Sequence, residues 1–224
     1  MNRKEIKEAA KAKIKGNKWN IWWPMLIISA ITGTISKIFG IGDLHLDTTN
    51  FTEMTNITAT YHFSTVNYIG MVILVIVSAL LYAGYYKYIL NFVRTGKFES
   101  DDIIEAIKAK WLQVLIATIL VGIIVGLCSL LFVIPGIIMS LAYAMVVLLI
   151  IDTDVTGSDA LKKSRDMMKG YKWNYFVFLL SFIGWVLLVP FTIGIILIWL
   201  VPYMTVAEIM YYDKLKNKEK ELSD

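Results

Sequence analysis

The sequence predicts an all-α polytopic membrane protein with six transmembrane helices. Three observations carry that prediction. Hydrophobic residues make up 57% of the 224-residue chain, against roughly 45–50% in soluble domains, and mean hydropathy is +0.62. The apolar surplus lies in runs close to the ~20 residues needed to cross a hydrocarbon core of ~30 Å. Of the 22 Lys and Arg residues, all but Lys37 fall at positions 1–20, 87–110, 151–172 and 213–224, between those runs. Basic residues mark cytoplasmic loops, so the alternation places both termini inside.

The first element, at 1–18, is an expected interfacial amphipathic helix. Ile6, Ala9, Ala10 and Ile14 share one helical face, with lysines around it. Such a helix is expected to lie on the inner membrane surface, apolar face down. The expected spans are Ile21–Phe39, Ile69–Tyr86, Leu112–Ile134, Gly136–Ile151, Asn174–Val189 and Ile193–Tyr212. The fourth and fifth are short; at 1.5 Å per residue each reaches only ~24 Å. Residues 40–68 form an outer loop and 213–224 a cytoplasmic tail. Two further surface helices are expected, at Asp101–Lys110 and Ser158–Lys169. Ser100 and Ser158 are their expected N-caps, each followed by Asp.

Each surface helix runs into a Lys-Trp pair at the start of a span. Lys15-Gly16-Asn17-Lys18-Trp19-Asn20 and Lys169-Gly170-Tyr171-Lys172-Trp173-Asn174 differ at one position of six, and Lys108-Ala109-Lys110-Trp111 is a degenerate copy. Lys snorkels to headgroups and Trp settles at the interface, so Lys18, Trp19, Lys110, Trp111, Lys172 and Trp173 are expected interfacial anchors. Gly16 and Gly170 let the chain turn from the surface into the bilayer. Leu81-Tyr82-Ala83, Leu141-Ala142-Tyr143 and Val201-Pro202-Tyr203 also match in position. Two explanations fit these likenesses. One is three repeats of interfacial amphipathic helix plus helical hairpin; the other is interface chemistry recurring by necessity.

Few residues suggest chemistry. Glu208 is the one acid within an apolar run, which points either to function or to a carboxylate near headgroups paired with a Lys or a tyrosine hydroxyl. Tyr82, Tyr143 and Tyr203, at matched positions, form with Glu208 a candidate cavity that Ser78, Ser140 and Thr205 would also line. The bland alternative for the tyrosines is an aromatic belt. Lys37 is expected to snorkel to the outer headgroups. His45 and His62 lie in the outer loop with Asp43, Asp47 and Glu53, but their spacing matches no zinc motif. Partial alternation over Asn56–Tyr68 suits a short hairpin there. Pro24 is expected in a first turn, Pro135-Gly136 and Pro190 at hairpin turns, and Pro202 at a kink. Cys128 is the only cysteine, which excludes an internal disulfide. No catalytic residue, metal ligand or cofactor is expected: the chain carries no Ser/His/Asp set, paired carboxylates, H-E-x-x-H or Walker motif. The pI near 9.0 reflects lysines at span ends, so the expected partner is anionic lipid headgroups of the inner leaflet, with room for protein partners and no nucleic acid.

Met1-Asn2-Arg3-Lys4-Glu5-Ile6-Lys7, Leu81-Tyr82-Ala83-Gly84-Tyr85-Tyr86, Phe132-Val133-Ile134-Pro135-Gly136-Ile137 and Lys163-Ser164-Arg165-Asp166-Met167-Met168-Lys169-Gly170 together resemble an uncharacterised bacterial integral membrane family, domain of unknown function nine-seventy-five. The resemblance implies a multi-pass protein of the bacterial cytoplasmic membrane and brings no catalytic residues with it. Some relatives are associated with self-protection against antimicrobial peptides. The helical layout is also similar to the membrane region found beside glycerophosphodiester phosphodiesterases. Two functions are therefore expected as alternatives. One is a non-enzymatic accessory or protective factor against membrane-active peptides or envelope stress. The other is a transporter or exporter of a lipid-like or peptide substrate, which repeats and kinked spans favour and the lack of intramembrane charge relays disfavours.

Overall fold

Whether a glycine precedes the Lys-Trp pair decides how each span begins. In the computed structural model, which describes residues 2–41, 45–46, 59–60 and 64–223, Gly16 and Gly170 take φ of +96° and +83°. That left-handed conformation costs an L side chain roughly 1–2 kcal/mol. Helix α1 (Arg3–Ile14) therefore stops before Gly16, and α2 (Lys18–Ile38) starts afresh. The third copy behaves alike: α7 (Gly157–Met167) and α8 (Lys172–Leu180) flank Gly170. In the second copy Lys108 stands at the position that Gly16 and Gly170 hold before their Lys-Trp pairs, and the backbone stays helical. A separate surface helix at Asp101–Lys110 is thus corrected to the first turns of one helix, α4 (Asp101–Leu131), about 46 Å long at 1.5 Å per residue.

The remaining helices are α3 (Thr65–Thr95), α5 (Val133–Ala142), α6 (Val146–Asp152), α9 (Ile183–Val186) and α10 (Ile195–Ser223). The strands are a two-residue antiparallel pair, β1 (His45–Leu46) and β2 (Ala59–Thr60), with His45 opposite Thr60. The expected hairpin at Asn56–Tyr68 shares only β2 with this pair, and its residues 56–58 and 61–63 lie outside the described residues. Among the described residues five helical segments are long and apolar enough to cross a membrane: Lys18–Ile38, Thr65–Thr95, Asp101–Leu131, Val133–Asp152 and Ile195–Glu219.

The expected fifth span is corrected: it is not one helix. It breaks between α8 and α9, where Ser181 Oγ donates to the Phe178 carbonyl at 2.5 Å, a local bond that competes with helix continuation. After α9 the chain runs through turns from Leu187 to Gly194, and Pro190 has no N–H to extend a helix. The α4–α5 hairpin is tighter than expected. A single extended residue, Phe132 (φ −158°, ψ 145°), makes the turn, and Pro135 sits in the first turn of α5, where its missing N–H costs nothing. Pro24, expected in a first turn, lies farther inside because α2 begins at Lys18.

The chain forms two units. Residues 26–78 make one, and residues 1–25 with 79–224 make the other. In the smaller unit, Asn67 Nδ2 donates to the carbonyls of Phe39 and Gly40 at 2.8 and 3.1 Å, tying the start of α3 to the end of α2. The larger unit holds the core. Tyr85, Tyr88, Phe92, Phe178, Phe182, Tyr211 and Tyr212 are fully buried there. An interfacial belt is thus the wrong description for Tyr85, Tyr88, Tyr211 and Tyr212. Gly84 allows α3 to meet α4, since a Cβ there would lie 2.9 Å from the Ile103 carbonyl oxygen.

The apolar face of α1 meets protein, not lipid, which corrects the expected surface helix. Ile6, Ala10 and Ile14 are buried where α1 packs along α10. The face of α7 is covered likewise, by α4 and α6, with Ala160, Leu161 and Met167 buried. Ser158 is not its N-cap; Thr156 is, and its Oγ1 donates to Asp159 Oδ2 at 2.6 Å. Ser100 does stand at the N-cap of α4, without a side-chain capping bond. Residues 213–223, expected as a tail, continue α10 because Leu215 is buried and the lysines beside it find carboxylates.

Candidate functional site

Polar side chains converge where α3 and α6 end beside α10. Asp152 terminates α6, and its side chain is only 5% exposed. Arg94 from α3 grips it in bidentate fashion, with Nη1 on Oδ1 and Nη2 on Oδ2. Lys216 Nζ donates to Oδ2 at 2.5 Å, and Tyr212 Oη donates to the same oxygen at 2.8 Å. Arg94 Nη2 also donates to Asp213 Oδ1 at 2.6 Å. One carboxylate thus ties the ends of α3 and α6 to α10. Beside it, Asn91 Nδ2 donates to Asp102 Oδ1 at 2.7 Å, joining α3 to the start of α4.

Asp152 was missed in the sequence because it falls one residue past an apolar run. A signal existed. Asn91, Asp152 and Tyr212 each stand nine residues after Tyr82, Tyr143 and Tyr203 respectively. All three bear a hydrogen bond to a carboxylate or are one end of it.

Glu208 lies one turn before Tyr212 on α10. Both its oxygens are occupied: Tyr175 Oη donates to Oε1 at 2.8 Å and Tyr86 Oη to Oε2 at 2.9 Å. The carboxylate therefore links α10 to α3 and α8. Its pairing with tyrosine hydroxyls is the bland alternative expected from the sequence.

The other candidate residues have separate surroundings. Tyr82 is 40% exposed. Tyr143 is buried at the α5–α6 turn. Tyr203 is buried, and its hydroxyl donates to the Lys7 carbonyl at 3.3 Å. Ser78, Ser140 and Thr205 spend their hydroxyl protons on carbonyls of their own helices, Val75, Ile137 and Val201.

The anchors divide by residue type. Trp19, Trp111 and Trp173 are 70%, 48% and 73% exposed. Lys18 is exposed and begins α2, while Lys172 begins α8 and is half-buried. Lys110 instead pairs with Asp154 at 2.8 Å, and that ammonium holds the Asp154 carboxyl below its ordinary range. Lys37 is exposed in the last turn of α2. The side chains of His45 and His62 lie outside what the structure describes. Among the described residues no group of three His, Cys, Asp or Glu could hold a metal ion.

The α8–α9 break is closed by α1. Lys7 Nζ donates to the Ser181 carbonyl at 3.1 Å and to its hydroxyl at 3.2 Å, and lies 4.6 Å from the centre of the Phe182 ring. Burial lowers the Lys7 ammonium from its ordinary value. A carbonyl freed by the break thereby gains a charged donor in place of a backbone N–H.

No curated protein and no solved structure matches the chain. The family described as protein of unknown function (DUF975) matches residues 1–138 and 130–219, nearly the whole length, and the chain belongs to that family.

Proposed function

We propose that this is a non-enzymatic, six-pass protein of the cytoplasmic membrane. Both termini are inside, and it protects the envelope against membrane-active cationic peptides. The observation that carries the proposal is the pairing of three exposed tryptophans, Trp19, Trp111 and Trp173, with the basic segments beside them. Indole rings settle at the membrane interface, and lysines next to them face anionic headgroups. In this arrangement the broken α8–α9 segment makes the fifth pass, which brings the five long helices to six passes. The three Lys-Trp junctions mark three repeats of one ancestral unit, related by an axis along the membrane normal. The Asp152 cluster then closes the cytoplasmic ends of the second, fourth and sixth passes. A protein so built holds anionic lipid on its inner face and alters how cationic peptides partition into the bilayer.

Deletion of the gene is expected to raise sensitivity to cationic peptides several-fold, while sensitivity to uncharged antibiotics stays the same. Unchanged peptide sensitivity would remove this proposal. Transport is the second reading, and the α8–α9 break favours it, because interrupted helices with free carbonyls line substrate sites in many transporters. Counterflow of a peptide or lipid analogue in proteoliposomes would support transport instead.

A further inference from the structure

We infer that a cavity formed by α1, the α8–α9 break and α10 binds a phosphate group, carried by an anionic phospholipid headgroup or by a small soluble phosphate ester. This inference rests on the proposed membrane placement and not on the protective role. The cavity has a volume of about 360 Å³, within the range of small-ligand sites. Arg3, Lys4, Lys7 and Lys11 line it, with Glu8 as the one acid. Arg3, Lys7 and Lys11 are spaced by four residues and so stand along one ridge of α1. The ridge is held in register because Ile6, Ala10 and Ile14 are buried.

Glu8 offsets only one of the four positive charges lining the cavity. Glu5, the other acid of α1, is taken by Lys214 at 2.8 Å. Arg3, Lys4 and Lys11 make no ion pair among the described residues. Like charges gathered on one helix repel each other, and a phosphate bearing one or two negative charges would relieve that repulsion. Guanidinium and ammonium groups together supply both the forked and the point-charge contacts that phosphate oxygens accept.

Lys7 is positioned for such a ligand. Two of its three protons are spent on Ser181, which fixes the ammonium at the cavity wall and leaves the third available. Tyr203 also lines the cavity, and its ring lies 5.0 Å from that of Trp199, centroid to centroid. A second cavity of about 240 Å³ adjoins along α1, sharing Lys11 and lined by Ile14, Lys15, Lys18 and Trp199. Its mixed lining suits the glycerol part of a lipid whose phosphate occupies the first.

The test uses detergent-purified full-length protein and native mass spectrometry. Phosphatidylglycerol and phosphatidylcholine are offered in equal amounts, with and without excess inorganic phosphate. Preferential retention of phosphatidylglycerol is expected. The combined variant Arg3→Gln, Lys4→Gln, Lys11→Gln is expected to weaken it roughly tenfold or more, since each basic group near an anionic surface contributes about 1 kcal/mol. The combined variant Lys97→Gln, Lys162→Gln, Arg165→Gln removes equal charge elsewhere, at exposed positions outside the Lys-Trp junctions, and is expected to retain the lipid. Displacement of the lipid by inorganic phosphate would assign the site to soluble phosphate esters; persistence would assign it to the headgroup. Equal loss in both variants, or no loss in the first, would overturn the inference. Should the first variant fold poorly, amine acylation of the unaltered protein serves instead. Protection of Lys4 and Lys11 by added phosphatidylglycerol or phosphate is expected, and its absence would contradict the site. Because the readout is binding by purified protein, its failure is separable from failure of the protective role in cells.

Discussion

Replacing Asp152 with Ala is expected to lower the unfolding midpoint of the purified protein by roughly 5–10 °C, the largest effect of any single surface-remote charge. The carboxylate accepts from Arg94, Lys216 and Tyr212 at once. Its removal leaves Lys216 without its counter-ion and Arg94 with Asp213 alone. Breaking a fully buried pair costs about 3–5 kcal/mol. Arg94 and Lys216 remain 35% and 38% exposed, so water recovers part of that and about 2–3 kcal/mol is expected. Asp154→Ala is the matched control. Its ion pair with Lys110 is as short, at 2.8 Å, but the Asp154 side chain is fully exposed, and no measurable shift is expected. A thermal melt in detergent compares the two. Equal midpoints would show that α3, α6 and α10 are not held together by this carboxylate.

Glu208→Leu is expected to cost about 2–4 kcal/mol, because the hydroxyls of Tyr86 and Tyr175 lose their acceptor at roughly 1–3 kcal/mol per unsatisfied donor. Tyr175 is 2% exposed and has no water to turn to. Glu208→Gln is a different experiment. The amide keeps one acceptor for a tyrosine, and the other tyrosine hydroxyl can rotate to accept from the new N–H. Near-native abundance and peptide tolerance are expected for Glu208→Gln, and reduced abundance for Glu208→Leu. If Glu208→Gln abolished peptide tolerance at unchanged abundance, the negative charge itself would act in function, and the tyrosine cradle would be its tuning and not its purpose.

The contrast between these residues shows what the sequence disclosed. Apolar runs and basic segments placed a span on each of the five long helices and bounded two of them, Lys18–Ile38 and Val133–Asp152, to within a turn, since transfer into lipid depends on local composition. Gly16 and Gly170 marked real breaks, because a left-handed backbone is a local requirement. The same logic explains α4: the copy lacking glycine does not break. Tertiary partners were the part left unread. Amphipathic spacing in α1 and α7 signals an apolar face but not what covers it, and α10 with α4 and α6 covers both. Helix α3 outruns its apolar run by three turns since Tyr88, Ile89, Leu90 and Phe92 are buried in protein. The α8–α9 break is closed by Lys7, which is 174 residues away from Ser181. Glu208 stood out as a lone acid in an apolar run, and its tyrosine partners were foreseeable as a class. The Asp152 cluster required knowing that residues 94, 152, 213 and 216 meet.

The proposal rests on orientation: the lysine-rich ends of the helices in the cytoplasm and the 40–68 loop outside. Cysteine accessibility in intact cells tests this most directly, after Cys128→Ser removes the native thiol. A membrane-impermeant maleimide is expected to label Thr55→Cys in intact cells and to label Asn2→Cys only after the membrane is permeabilised. Labelling of Asn2→Cys in intact cells, or protection of Thr55→Cys there, would invert the protein and with it the assignment of its basic face to the inner leaflet.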